Sequence, residues 1–444
     1  VNSIAQQADG RFLLGGDFTL VNGLARNRIV RLNTDGTVDT SFDAGSGFSD
    51  SVQELAVQPD GRVVAVGRFI SVNGVNRNRI ARLNSDGSVD DTFNPGGGAN
   101  NPILDMLVQP DGRTVIVGDF SSFNGVSRKG VARINSDGTL DETFGLGDGP
   151  DFSVHAVVMQ RDGRVIIAGD FKNYDGVACE GVVRLNPDGS IDKSFNSALG
   201  FDDSVRCIAL QEDGRIVVGG FFGHVGNVAR GRIARLNPDG SLDGDFAIGA
   251  GADGSIYSLA IQSDGKILGG GSFSQFNGLT RNGLVRLTES GGIDPTVNFG
   301  TGANGSVLDI GIRPNFKVLI AGGFTIFNGE NRDHFAQIHG GIMNGSGRLE
   351  FLSPIYEVGE TGTNAVVRLV RQGGLAGTVS VNFETQLSSN PSPAVPGLDY
   401  EHTSLKLEFP EGEVLQAVEV PIIDDTDVEP VEVVDLLLSG FTGD

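Results

Sequence analysis

The chain has 444 residues, a formal net charge of -23, 39% hydrophobic residues, no Trp and two Cys. That charge, with no basic cluster, argues against nucleic acid and anionic membrane surfaces as partners, and no apolar run approaches the roughly 20 residues of a spanning helix. Cys179 and Cys207 have neither the spacing of a disulfide staple nor that of a metal knuckle; a large core needs few disulfides, so their scarcity does not exclude export.

From the first residues onward the sequence repeats. Asp-Gly-Arg begins at Asp9, Asp60, Asp111, Asp162 and Asp213, returns as Asp-Gly-Lys at Asp264 and fades to Asn-Phe-Lys at Asn315, each step being 51 residues. A fixed period of this length marks one supersecondary unit that buries its apolar faces only against its neighbours. A residue present in every copy therefore points to structure before chemistry, since an active site is needed only once.

Within the second copy, Val52 to Gln58 and Arg62 to Phe69 are β-branched, apolar-rich runs joined by the turn Pro59-Asp60-Gly61, which predicts an antiparallel hairpin. A loop at Asn73-Gly74 leads to a third run, Arg79 to Asn84, and the turn Asp86-Gly87 to a fourth segment, Ser88 to Phe93. Gly/Asn-rich linkers such as Pro95 to Asn100 feed the next copy, and no window carries a sustained helical period. Four short strands per copy and seven copies predict an all-β, seven-bladed β-propeller over residues 1–342. A β-solenoid competes poorly, because its coils are shorter than this period. Ser3, Glu54, Asp105, Ala156, Cys207, Ser258 and Asp309 share one position on the expected innermost strand.

Two recurring elements bear on chemistry. Arg31 to Asp39 recurs as Arg82 to Asp90, Arg133 to Asp141, Arg184 to Asp192 and Arg235 to Asp243. It is similar to a calcium loop, Asp-x-Asp-x-Asp-Gly-x-x-Asp, but carries Arg at the first ligand position. A guanidinium there repels a cation and satisfies the same oxygens, so an internal pair such as Arg82 with Asp90 is expected in place of a metal. The sixth copy breaks this turn (Glu289-Ser290-Gly291) and the seventh has Gln337 for Arg. In Gly-Asp-Phe, Phe persists in every copy (Phe18, Phe69, Phe120, Phe171, Phe222, Phe273, Phe324) and is expected between blades. Its neighbour varies (Asp17, Arg68, Asp119, Asp170, Phe221, Ser272, Gly323) and is expected to line a surface.

Catalytic equipment is sparse. His155, His224, His334, His339 and His402 fall on unrelated repeat positions, and neither a Gly-x-Ser-x-Gly elbow nor a His-Glu-x-x-His motif is present. With no Trp and only Tyr174, Tyr257, Tyr356 and Tyr400, exposed aromatics for a lectin site are few. Whether the chain is an enzyme is left open, with the residue set leaning against it.

Composition changes after the small, polar hinge Gly340 to Gly347. Residues 347–444 hold 17 acidic and four basic residues, against 39 and 29 in residues 1–346. Alternating runs such as Ala365 to Arg371, Val379 to Phe383 and Ala417 to Ile423 predict an antiparallel sandwich over 347–444. Val1 is not an initiator Met and the last run stops short of an edge strand, so the chain reads as a piece of a longer protein with further domains.

The repeat landmarks Gln-x-Asp-Gly-Arg, Gly-Asp-Phe, Asn-Gly, Arg-Leu-Asn-x-Asp-Gly and Asp-x-x-Phe resemble the delta-60 repeats of large bacterial surface and secreted proteins, a β-propeller family without an established activity. The remainder, carried by Tyr356 to Glu360, Val370 to Gly374, Gly397 to Tyr400, Leu407 to Glu413 and Ile422 to Glu432, resembles a Calx-beta domain, an immunoglobulin-like sandwich that binds calcium in some members. The resemblance places calcium ligands on Glu360, Asp399, Asp424, Asp425, Glu429 and Glu432, with Pro430 interrupting the family's acidic run. It implies a non-enzymatic secreted or cell-surface bacterial module for adhesion or display, with a protein or glycan ligand. The alternative is a polysaccharide hydrolase or lyase using carboxylates at one mouth of the channel.

Overall fold

The computed structural model describes residues 1–444 except 146, 196–199, 296, 298, 314–316, 340–346, 354, 357, 360–363, 373–376, 389–391, 411, 412, 414, 424–431, 443 and 444. It falls into two compact units, one of Val1–Arg313 with Val318–His339, the other of Gly340–Asp444 with Pro314–Lys317. Most of the hinge expected at residues 340–347 lies outside the described residues.

In the first unit each copy builds one three-stranded antiparallel sheet, seven such sheets among the described residues. In the second copy the strands are Val52–Val57, Val63–Gly67 and Ile80–Leu83, with the middle strand at the centre of the sheet. Val63, Val64, Ala65 and Val66 are all buried, because both faces of this sheet pack on a neighbour. That is why the middle run is continuously apolar instead of alternating. Gly67 ends it where a Cβ would lie 2.2 Å from the Ser51 carbonyl oxygen, so no larger residue fits.

First strands of consecutive sheets lie against one another, and Ser3–Gln6 of the first sheet also lies against Val307–Ile312 of the seventh. The array is therefore closed. At the seam the Ile4 N–H donates to Asp309 Oδ2 (2.7 Å), Arg313 Nη1 donates to the Thr34 carbonyl (3.4 Å) and the rings of Phe12 and Phe335 stack with centroids 5.3 Å apart.

Among the described residues, the fourth strand expected in each copy is not formed in the first six, and its counterpart in the seventh lies outside the described residues. In those six it is reduced to an isolated bridge, Leu83 with Val89 in the second copy and Leu32 with Val38 in the first. Asp90 is the cause: its Oδ1 accepts both the N–H (2.9 Å) and the hydroxyl (2.6 Å) of Thr92, an Asx-type turn that bends the chain away after one bridge. The Asn73-Gly74 loop is instead a small hairpin, Ser71–Val72 with Val75–Asn76.

The second unit has two three-stranded antiparallel sheets. One contains Arg348–Phe351, Asn364–Gln372 and Leu415–Pro421; the other contains Val379–Leu387 between Ser404–Phe409 and Val434–Thr442. Val367, Leu369, Val381, Phe383, Phe409, Val418 and Tyr400 fill its core. No described helix is long and apolar enough to cross a membrane.

Candidate binding site at one end of the ring

The recurring motifs form a lock within each sheet, as expected. Arg82 Nε lies 2.7 Å from Asp90 Oδ2, and the same pair occurs between Arg31 and Asp39, Arg133 and Asp141, Arg184 and Asp192, Arg235 and Asp243, and Arg286 and Asp294. The Arg82 guanidinium also sits 4.9 Å from the centroid of Phe93 and donates to the Ser136 carbonyl of the next copy (2.6 Å). Sequence reasoning missed a second arginine. Arg62 of the Asp-Gly-Arg turn bonds Asp60 and reaches Asp90 Oδ2 at 3.2 Å, so the two recurring motifs are halves of one assembly. Burial alone would raise the Asp90 pKa, but the Thr92, Arg82 and Arg62 hydrogen bonds hold it well below the carboxylate range. This is structural chemistry, present in copy after copy.

The copies differ at the opposite end, where inner strands begin and middle strands finish. One position there reads Asn2, Gln53, Leu104, His155, Arg206, Tyr257 and Leu308; the facing one reads Asp17, Arg68, Asp119, Asp170, Phe221, Ser272 and Gly323. In the fourth to sixth copies these side chains touch in series. His155 Nε2 lies 2.8 Å from Asp170 Oδ2, and His155 Nδ1 lies 3.2 Å from Arg206 Nη1. Arg206 stacks 4.5 Å from the centroid of Phe221, which meets Tyr257 edge-on at 5.9 Å, and Tyr257 Oη is 3.4 Å from Ser272 Oγ.

The geometry fixes the imidazole. A guanidinium only donates, so Nδ1 is the acceptor and Nε2–H donates to Asp170, leaving neutral His155 with both nitrogens engaged. The His155 side chain is only 8% exposed. Burial raises the Asp170 pKa, yet the His155 hydrogen bond together with the Ser204 hydroxyl and the charge of Arg206 outweighs it and brings the carboxyl to about 2. Beside the arc, Phe152 is 64% exposed, and the following residue, Ser153, accepts the Asp170 N–H at 2.9 Å. The expectation that residues beside the repeated Phe line a surface is met at Asp170 and Ser272, both exposed. The repeated Phe is buried in the second to seventh copies and partly buried at Phe18.

Nearer the axis, the inner-strand position contributes three carboxyls, Glu54, Asp105 and Asp309, each just past a bulge in its strand. Ser3 Oγ donates to Glu54 (2.9 Å), Val157 N–H to Asp105 (2.8 Å) and Ser258 Oγ to Asp309 (3.3 Å), so each links two copies. All three keep some accessible surface but are ringed by protein, and the enclosure governs their ionisation. Burial, then the charges of Asp309 and Asp105, pushes Glu54 up; burial likewise raises Asp105 and Asp309 against their amide hydrogen bonds.

Of the calcium ligands implied for the second unit, Glu360, Asp424, Asp425 and Glu429 lie outside the described residues. Asp399 Oδ2 accepts the Val395 N–H (2.6 Å), and its carbonyl accepts the Ile423 N–H (2.9 Å). Val433, next to Glu432, pairs with Pro393 and accepts from the Ala394 N–H (3.1 Å). Asp399 and Glu432 thus flank one segment, residues 393–395, and residue 423 is drawn to the same place.

Residues 7–42, 58–93, 109–144, 160–195, 211–246 and 262–296 match the domain of unknown function (DUF5122) beta-propeller, and residues 343–442 match the Calx-beta domain. No curated protein sequence matches the chain. Among solved structures, the apo-form Calx CBD1 domain is 30% identical over 21% of this chain and 80% of that one, with a TM-score of 0.20. The calcium binding domain CBD12 of CALX1.1 is 30% identical over 21% of this chain and 38% of that one, with a TM-score of 0.20. Apo AztD from Citrobacter koseri is 10% identical over 71% of this chain and 96% of that one, with a TM-score of 0.33. The chain is a DUF5122 beta-propeller repeat region followed by a Calx-beta domain.

Proposed function

We propose that the chain is a non-enzymatic, secreted or cell-surface module that binds and displays, its propeller presenting a ligand surface and its Calx-beta domain holding calcium. The observation that carries this reading is the commitment of both His155 nitrogens, to Asp170 and to Arg206. The one buried imidazole of the arc is fixed as a strut with no basic site left for a proton, while the surrounding polar and aromatic groups stay rigidly presented. In the second unit the oxygen-only donors Asp399 and Glu432, flanking one segment, suit a hard cation such as calcium, and Glu360, Asp424, Asp425 and Glu429 complete the proposed set. Calcium bound there would relieve repulsion among the carboxylates. Calorimetric melting of the whole chain tests this: the transition of the second unit should rise with calcium, respond little to magnesium, and lose its response in Asp399→Ala combined with Asp424→Ala. A melting profile indifferent to calcium would refute the calcium assignment.

A second reading, a polysaccharide hydrolase or lyase, draws on the raised pKa of Glu54, Asp105 and Asp309 near the axis, since a carboxyl kept protonated near neutrality can serve as a general acid. Against it, each of the three already accepts hydrogen bonds from the chain. Turnover of a polysaccharide that is abolished in Asp105→Asn would establish it.

A further inference from the structure

We infer that the arc formed by His155, Asp170, Arg206, Phe221, Tyr257 and Ser272 is a binding site for an acidic sugar, a hydroxyl-rich ring carrying a carboxylate. The inference rests on reading the chain as a binding module and names the ligand class of that module.

An array of near-identical copies provides its own control. Where a position packs sheets together it repeats: Phe69, Phe120, Phe171 and Phe222 are all buried. Where a position varies from copy to copy, packing is not what holds it. Two such variable positions face each other at one end of the ring, and in three consecutive copies their side chains join into a continuous strip. In repeat architectures, copy-specific residues gathered on one face mark the binding face.

The chemistry of the strip selects the ligand. Arg206 is held on two sides, by the His155 nitrogen and by the face of Phe221. Its Nη2 makes no hydrogen bond to the described residues, so a preorganised guanidinium edge remains for a planar anion. Asp170 is tied up by the hydrogen bond from His155, and the Arg206 charge acts on it from across the imidazole. Tyr257 Oη and Ser272 Oγ, 3.4 Å apart, offer paired donors and acceptors for ring hydroxyls. Phe152, largely exposed at the same end, supplies an apolar face of the kind a pyranose stacks on. Because the groups are locked by one another, little side-chain entropy is lost on binding.

The test uses the whole chain in the presence of a chelator, so that calcium bridging between uronates plays no part. Titration calorimetry with an oligogalacturonate should show saturable binding, with its methyl ester and a neutral galactose oligomer at least about tenfold weaker. Arg206→Ala should cost about tenfold or more, and Tyr257→Phe, which leaves the ring packing in place, a few-fold, with the melting temperature checked for both. Equal affinity for the ester, indifference to both substitutions, or cleavage of the oligomer would overturn the inference. Binding to none of the three sugars while calcium still stabilises the chain would overturn it and leave the broader reading standing.

Discussion

Arg313 and Gln337 stand in the seventh sheet in exchanged positions. Elsewhere the end of the inner strand carries Gln and the outer strand Arg, as in Gln211 and Arg235, which lie 3.2 Å apart; in the seventh sheet the same hydrogen bond is made with the partners reversed. The swap carries the guanidinium to the seam, where it donates to the Thr34 carbonyl, the counterpart of the Ser85 carbonyl reached by Arg31. Phe12 and Phe335, larger than their counterparts Val63 and Ile80, stack beside it. The seam is thus closed by compensated substitutions.

Arg313→Gln alone should lower the unfolding free energy by about 1–3 kcal/mol, since it strips partners from Gln337, Thr34 and Gly10. Arg313→Gln with Gln337→Arg should recover most of that loss. Denaturant melts of the two variants against the parent check it; a double variant no better than the single one would contradict the exchange.

Removing the Asp90 carboxylate leaves Arg82 and Arg62 without their shared acceptor. Asp90→Asn should cost about 3–5 kcal/mol, the scale for breaking a buried pair from one side. The depressed pKa sets the sign with pH: this stability is present above the unfolded-state value of about 4 and is lost as pH falls through the folded one. Acid titration followed by circular dichroism should show the parent losing stability below about pH 4 and Asp90→Asn doing so less steeply.

The axial carboxyls act with the opposite sign. Burial raises Asp105 to about 7 and Asp309 to about 6, and Glu54 in the same direction. Between the unfolded-state value of about 4 and these values the folded chain binds more protons than the unfolded one, so stability declines as pH rises through that window. Melting temperature measured from pH 4.5 to 8 should fall, and Glu54→Gln, Asp105→Asn and Asp309→Asn together should flatten the slope.

Two glycines with the same backbone should respond differently to alanine. Gly36 (φ 87) has nothing within 4 Å of an added Cβ, whereas at Gly87 (φ 93) that atom would lie 2.7 Å from Asp43 N. Gly36→Ala should cost about 1–2 kcal/mol for the left-handed conformation, and Gly87→Ala clearly more, because backbone of the preceding copy must shift. Thermal denaturation of the pair decides it; equal costs would rule out the close approach as the cause.

The period, the strand runs and the Arg82–Asp90 pair were legible because each depends on residues within one copy, at spacings set by a single hairpin. Arg62 was missed as the second partner of Asp90 because its 28-residue separation carries no local signal. The fourth strand was overestimated because Asp90 lies inside the run Ser88 to Phe93, although Asp followed two residues later by Thr is also the signature of an Asx turn. His155, Asp170 and Arg206 belong to different strands or copies, and read along the chain they are unrelated. Aligning the copies by their 51-residue period and reading down the columns would have exposed the strip, since His155, Arg206 and Tyr257 fall in one column and Asp170, Phe221 and Ser272 in the one that faces it.

The lock made by Arg82 reaches one copy forward, to the Ser136 carbonyl, and no further. An in-frame gain or loss of a single 51-residue block among the early copies would therefore preserve this arginine-to-carbonyl contact at each junction while altering how many wedges share the circle. The last copy is the exception: with its exchanged Arg313 and Gln337 it fits only at the closing junction. The repeated lock is therefore indifferent to how many copies precede it, whereas the closing junction depends on one copy being last.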